Sequence, residues 1–95
     1  MYLKNKIFNN YQKGEITVTI GFVLLHVSPT HENEICALLT KIPEVIEIRP
    51  ISGEYDMIAK LQAKDYESIA KITTQKIKTI TGIIDIKTIT GKNLR

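Results

Sequence analysis

An α+β sandwich is predicted, a four-stranded antiparallel sheet with two helices on one face, and three observations carry that prediction. The hydrophobic periods follow one another as two-residue alternation, helical spacing, alternation, alternation, helical spacing and alternation, which reads β-α-β-β-α-β. Right-handed crossovers on both βαβ halves then place the first and third strands in the middle of the sheet. Phe22–Val27 is apolar on both faces, as a central strand covered above and below must be. Two helices cover only one sheet face, and the other still carries apolar side chains. A second copy of the sheet is the simplest cover, so the architecture expected is the ferredoxin-like sandwich of the dimeric α/β-barrel type.

Residues 1–19 read as a leader or extra strand, with one turn of helix at Tyr2–Phe8. Strict alternation starts after Glu15 and runs through Ile16-Thr17-Val18-Thr19-Ile20. Gly21 then interrupts, which suggests a bulge or bend before Phe22–Val27. Ser28-Pro29-Thr30 ends the strand. Thr30 is the expected N-cap of the first helix, with Glu32 and Glu34 in the first turn where the helix dipole favours acid. Ile35, Leu38, Leu39 and Ile42 follow helical spacing, and Pro43 ends the run. Val45–Ile51 is the second strand, with Ile46 and Ile48 on one face and Glu47 and Arg49 on the other. Pro50 cannot donate to a ladder and argues for a sheet edge. In Met57–Ala63, the alternation puts Tyr55, Met57, Ala59 and Leu61 on one face. Asp65 caps the second helix, whose inner side is expected to hold Tyr66, Ile69, Ala70, Thr73, Ile77 and Ile80. Thr81-Gly82 closes that helix with glycine just past its end. Ile83–Thr90 is the last strand, the folded unit spans residues 20–91, and 92–95 form a polar tail.

The chain of 95 residues suits one domain with a single core. Its formal net charge of +3 is mild. Lys4, Lys6 and Lys13 lie near one end and Lys87, Lys92 and Arg95 near the other, as solvated termini commonly do. One cysteine excludes an internal disulfide and fits a reducing compartment. No apolar run approaches membrane-spanning length, and Tyr2–Lys13 is polar where a signal peptide would be apolar, so a cytoplasmic protein without membrane contact is expected. His26 and His31 flank a turn without the carboxylate or thiol cluster a metal site needs. Cys36 stands one position from the core residue Ile35 and has no nearby base, which suits a small packed residue. No nucleophile–base pair and no phosphate-binding glycine run appears. The sequence therefore predicts no catalytic residue, no metal and no cofactor, and a protein that is not an enzyme.

The polar connection Ser52-Gly53-Glu54-Tyr55-Asp56 compresses a glycine, a phenol, a hydroxyl and two acids between two strands. Glycine tolerates positive φ and lets backbone or ligand come close. From these residues alone, the stretch is either a hairpin turn with a solvated tip or a binding loop.

Five motifs resemble the RAM domain, the effector-binding half of the Lrp/AsnC (feast/famine) transcription regulators. They are Val27-Ser28-Pro29-Thr30-His31-Glu32, Ile42-Pro43-Glu44-Val45, Ser52-Gly53-Glu54-Tyr55-Asp56, Ala63-Lys64-Asp65-Tyr66 and Ile80-Thr81-Gly82-Ile83-Ile84. They fall in order between about Gly21 and Thr90. Full regulators carry an N-terminal helix-turn-helix, and the residues before the first matched strand hold no recognition unit. The chain resembles a stand-alone RAM protein of the kind found in archaea and some bacteria, and no direct specific DNA binding is expected.

The resemblance implies a homodimer built sheet to sheet, assembly of dimers into an octamer-like ring, and small ligands, typically amino acids, bound where dimers meet. It also implies that the loop Ser52–Asp56 supplies much of the site. A glycine turn offers backbone N–H groups to a carboxylate. Asp56 is then the expected partner of the ammonium, Glu54 faces solvent, and Tyr55 either walls the pocket or packs on the sheet. Thr73, Gln75 and Thr88 are the candidates for choosing the ligand side chain. Two other functions fit the same fold. One is a structural partner that co-assembles with full-length Lrp/AsnC regulators without a ligand of its own. The other is a small dimeric α/β-barrel enzyme, which needs a catalytic cluster on a sheet face where Ile, Leu, Met and Ala prevail.

Overall fold

The computed structural model describes residues 2–3 and 18–90. Its strands are β1 (Tyr2–Leu3), β2 (Thr19–Val27), β3 (Val45–Pro50), β4 (Met57–Ala63) and β5 (Ile83–Thr90). The helices are α1 (Glu32–Thr40) and α2 (Tyr66–Ile72), the latter running on as a π-helical turn through Thr73–Ile77. The sheet order is β1-β3-β4-β2-β5 with every pairing antiparallel. The first and third strands of the βαββαβ unit, β2 and β4, thus lie in the middle as the pattern predicts. The helix turn expected at Tyr2–Phe8 is replaced at its start: Tyr2 and Leu3 pair with Ile48 and Glu47 on the edge of β3. The rest of that turn, and the residues after Thr90, lie outside the described residues.

One sheet face and the two helices enclose the core. From β2 come Val23, Leu25 and Val27, and from β4 come Met57, Ala59 and Leu61, each at most 2% exposed. Every second residue of each strand is inside, as the two-residue period requires. At roughly 1.5–3 kcal/mol for each fully buried aliphatic side chain, these two strands anchor the fold. Gly21 makes no bulge against β4, because the register runs unbroken from Thr19↔Ala63 to Leu25↔Met57. Its missing side chain admits α2: a Cβ there would meet Ile69 Cγ2 at 2.8 Å. The irregularity of β2 lies instead at its end, where the β5 register shifts between His26 and Val27.

β3 departs from the expected alternation. Its register with β4 shifts between Val45 and Glu47, so the bulge at Ile46 turns Val45 inward with Ile48. Val45 is 0% and Ile48 4% exposed, while Ile46, expected beside Ile48, is half-buried. Pro50 ends the strand beyond the two residues that β1 pairs, which leaves its missing N–H without cost.

Each helix corrects the sequence reading at one end. Pro29–His31 forms a 3-10 turn and His31 takes the N-cap position of α1, with no side-chain cap. The expected cap, Thr30, has its Oγ1 3.1 Å from both Ser28 Oγ and His31 Nδ1 instead. On α1, Ile35 and Leu39 are fully buried and Leu38 is 45% exposed. Asp65 caps α2 as expected, accepting the Ser68 N–H at 2.8 Å. Tyr66 and Ala70 nevertheless face outward, and Ile72 joins Ile69 in the core. The π turn follows at once: the Lys78 N–H donates five residues back to the Thr73 carbonyl. That extra residue lets Ile77 stay inside after Ile72. The helical segment ends at Ile77, so Gly82 is not its cap. It enters β5 with φ +100 and gives its carbonyl to the Ser28 N–H at 2.7 Å.

Candidate functional site

The connection between β3 and β4 leaves at Pro50 and returns at Met57, two residues that face each other in the ladder. Its base is fixed by backbone bonds. The Ile51 N–H donates to the Asp56 carbonyl at 2.9 Å, and the Asp56 N–H donates to the Leu25 carbonyl at 2.7 Å. The Asp56 side chain completes the clamp: its Oδ2 accepts the Val27 N–H at 2.8 Å and lies 2.8 Å from His26 Nδ1. Val27 is where the β2–β5 register shifts, so the carboxylate takes up a strand N–H at an irregular point of the ladder. The Val27 hydrogen bond and then that of His26 hold the Asp56 carboxyl below its ordinary pKa.

Beyond this clamp the tip is open. Ser52, Gly53 and Glu54 are exposed, and Tyr55 is half-buried. Gly53 has φ +116, with no heavy atom within 4 Å of where a Cβ would stand. The Tyr55 hydroxyl donates to Asp85 Oδ2 at 3.4 Å, and partial burial, then the charge of Asp85, push the phenol pKa up. The loop therefore reaches β5 through Tyr55 and β2 through Asp56.

The other expected site residues stand elsewhere. Thr73 is 5% exposed and its hydroxyl donates to the Ile69 carbonyl at 2.9 Å, so it belongs to the core of the protomer. Gln75 is exposed on the π turn. Thr88 is half-buried opposite Val23, on the helix-covered side of β5. Within one protomer, no hydrogen bond among the described residues joins these three to the loop. His26, 30 positions from Asp56, is the partner the sequence did not reveal. Only the strand register brings the two together.

Two hollows flank the loop. One, of about 430 Å³, runs between α1 and β3 and is lined by Glu32, Cys36, Ala37, Thr40, Ile48, Pro50 and Met57. The other, of about 340 Å³, lies on the uncovered sheet face among Phe22, Glu47, Arg49, Ile51, Ile58 and Lys60. Cys36 is half-buried and packs on the core, as expected of it. Burial, and secondarily the charge of Glu32, push its thiol pKa up. No described helix is long and apolar enough to cross a membrane.

A family profile described as the Lrp/AsnC ligand binding domain matches residues 20–90, about three quarters of the chain. The chain belongs to the Lrp/AsnC ligand-binding-domain family. A similar curated protein is an uncharacterized HTH-type transcriptional regulator of Pyrococcus furiosus, 32% identical over 77 residues that cover 78% of this chain and 51% of that one. The chain spans about half the length of the curated relatives it matches first. Among solved structures, a protein of Thermus thermophilus is 25% identical with a TM-score of 0.72, covering 77% of this chain and 91% of that one. A transcriptional regulator of Neisseria meningitidis, solved as its L-Met complex, shares the fold at 13% identity with a TM-score of 0.73, covering 92% of this chain and 57% of that one. The Lrp/AsnC domain here is thus a βαββαβ sandwich whose named relatives are regulators of transcription.

The clamp has a pH signature. Because the folded-state pKa of Asp56 is depressed, its stabilisation is fully present above the carboxyl's unfolded value, about 3.9, and is lost as pH falls through the lower folded value. Asp56→Asn is therefore expected to lower the urea midpoint at pH 5. Its deficit relative to the parent should shrink below pH 4. A deficit that stays constant into acid would show that the carboxylate charge plays no part.

Proposed function

We propose that this Lrp/AsnC domain is a ligand-sensing oligomeric module that binds an α-amino acid at the loop Ser52–Asp56 and acts on amino-acid metabolism or on transcription regulators. The observation that carries this reading is the clamped loop with an open glycine tip. Asp56 anchors it to β2 through His26 and Val27 while the backbone around Gly53 stays exposed. Such a turn offers preorganised N–H groups to a carboxylate at little ordering cost. Oδ2 of Asp56 is engaged, so the ligand ammonium meets its Oδ1. Tyr55 walls the site through its contact with Asp85. Gln75 and Thr88 reach the ligand from a neighbouring dimer, since the site lies where dimers of the ring meet. The L-Met complex of the Neisseria regulator supports an amino acid as ligand class. The module acts in the cytoplasm. It does not read DNA sequence itself, since among the described residues α1 and α2 are separated by β3 and β4 and form no helix-turn-helix.

Isothermal titration with the twenty amino acids tests this. At least one is expected to bind. Gly53→Val should weaken it by about tenfold or more, because the residue demands positive φ and its side chain would cover the tip. Glu54→Ala should change affinity by less than about threefold, as its charge is solvated. Equal losses for both variants would move the site off this loop. A second reading, co-assembly with full-length regulators without a ligand, draws on the HTH-type relatives, of which the matched stretch covers about half. Heat from none of the twenty would favour it.

A further inference from the structure

The hollow on the sheet face without helices is lined by Phe22, Glu47, Arg49, Ile51, Ile58 and Lys60, and no residue of Ser52–Asp56 belongs to it. Strand register explains the grouping. Lys60 stands between Phe22 and Glu47 in one row of neighbours, and Ile58 stands beside Arg49 in the next. These side chains face away from the helices, opposite the buried Val23, Ala59 and Leu61. Phe22 and Ile58 are half-buried and Ile51 is 37% exposed, so apolar surface flanks the charged groups. The charges themselves do not balance. Glu47 accepts from Arg49 Nε, which commits its carboxylate along β3. Lys60 is half-buried, and among the described residues no hydrogen bond or ion pair engages its ammonium. One carboxylate against two cations leaves the hollow with a single excess positive charge. A cation in apolar surroundings without a counter-ion is costly, and more so where a second sheet caps this face and removes its water.

We propose that this hollow is a second binding site, for a small monocarboxylate with an apolar tail and no ammonium group. The carboxylate sits on the Lys60 ammonium, and the tail lies over Phe22, Ile51 and Ile58. One negative charge is what balances the lining. A phosphate monoester brings close to two and meets the Glu47 carboxylate besides. An amino acid is a zwitterion: it leaves the excess charge in place and sets its own ammonium beside Lys60 and Arg49. The site therefore differs from the loop in both place and ligand charge, and it stands whether or not the loop binds anything. A volume of about 340 Å³ is at the small end of ligand pockets and suits an acid the size of 4-methylpentanoate.

The test uses the full chain and probes that share one carbon skeleton: 4-methylpentanoate, L-leucine and 4-methylpentan-1-amine. Nuclear magnetic resonance of isoleucine methyl groups reads the site through Ile58. The acid should shift the Ile58 methyl saturably, and leucine and the amine should do so at least about tenfold more weakly. Lys60→Gln keeps the length of the side chain and removes its charge, and it should weaken the acid by about tenfold or more. Lys60→Arg should keep most of the binding. Lys60 lies outside the core, so unchanged thermal unfolding is expected of both variants. Gly53→Val should bind the acid as the parent does. The acid against the amine decides the sign of the site even where a variant fails to fold. No saturable shift at Ile58, or an amine or leucine shift of equal affinity, overturns the proposal. So does an unchanged affinity in Lys60→Gln. A loss in Gly53→Val as large as that in Lys60→Gln puts the acid on the loop and overturns it as well.

Discussion

Gly82→Ala is expected to unfold at a far lower urea concentration than the parent, with a stability loss of about 3 kcal/mol from backbone strain and overpacking together. Gly82 has φ +100, where an L side chain is strained. An added Cβ would stand 2.6 Å from His31 Cβ and 2.7 Å from His31 Cγ. Those atoms sit at the root of the side chain, so rotating the ring does not clear them, and the backbone must move. The backbone is pinned, because the Gly82 carbonyl accepts the Ser28 N–H at 2.7 Å and joins the β2–α1 corner to the start of β5. Gly53 supplies the control. It has φ +116 but nothing within 4 Å, so Gly53→Ala carries the strain alone, about 1 kcal/mol. Gly82→Ala combined with His31→Gly, which removes the Cβ as well as the ring, should recover the packing part and leave the strain. Equal losses for Gly53→Ala and Gly82→Ala would show that the contact with His31 contributes nothing.

What the sequence made legible was set by periods, and what it hid was set by register. The alternation of Met57, Ala59 and Leu61 and the cap at Asp65 are local facts, and both stand in the structure. The bulge at Ile46 is not local: β3 takes up one extra residue against β4, so the inward residues become Val45 and Ile48. Likewise Tyr66 and Ala70 fit a straight helical stripe. Of that stripe Ile69, Thr73 and Ile77 are buried as expected, while Ile72, at the end of α2 ahead of the π turn, takes the inner place expected of Tyr66 and Ala70. At the loop, glycine and acids between two strands marked a tight connection, and only the resemblance pointed to a binding loop. The role of Asp56 depended on Val27 and His26, about thirty positions away, which only strand pairing brings near. The hollow around Lys60 was hidden for the same reason, since its lining comes from β2, β4 and the β3 segment through Ile51.

Leu24→Glu is expected to break the proposed sheet-to-sheet dimer and to give a monomer of 10.8 kDa in light scattering. The argument rests on the sheet face without helices. Across it, one row of neighbours reads Arg49, Ile58, Leu24 and Lys87, and the next reads Glu47, Lys60, Phe22 and Ile89. Apolar side chains hold the centre of the first row and charges its two edges, the arrangement of an interface with an apolar middle and a polar rim. Phe22, Leu24 and Ile58 are each only half-buried in one protomer. A second sheet laid over them would complete their burial across a two-fold axis. Because such an interface is isologous, each substitution places two carboxylates in it, and each desolvated charge costs about 3 kcal/mol or more. The monomer should keep its circular dichroism, since Leu24 faces away from the core built by Val23 and Leu25. Leu38→Glu, at a position 45% exposed on α1, should leave at least the dimer intact. A Leu24→Glu protein with the parent's mass would place the interface elsewhere, and a monomeric Leu38→Glu protein beside it would place it on the helices.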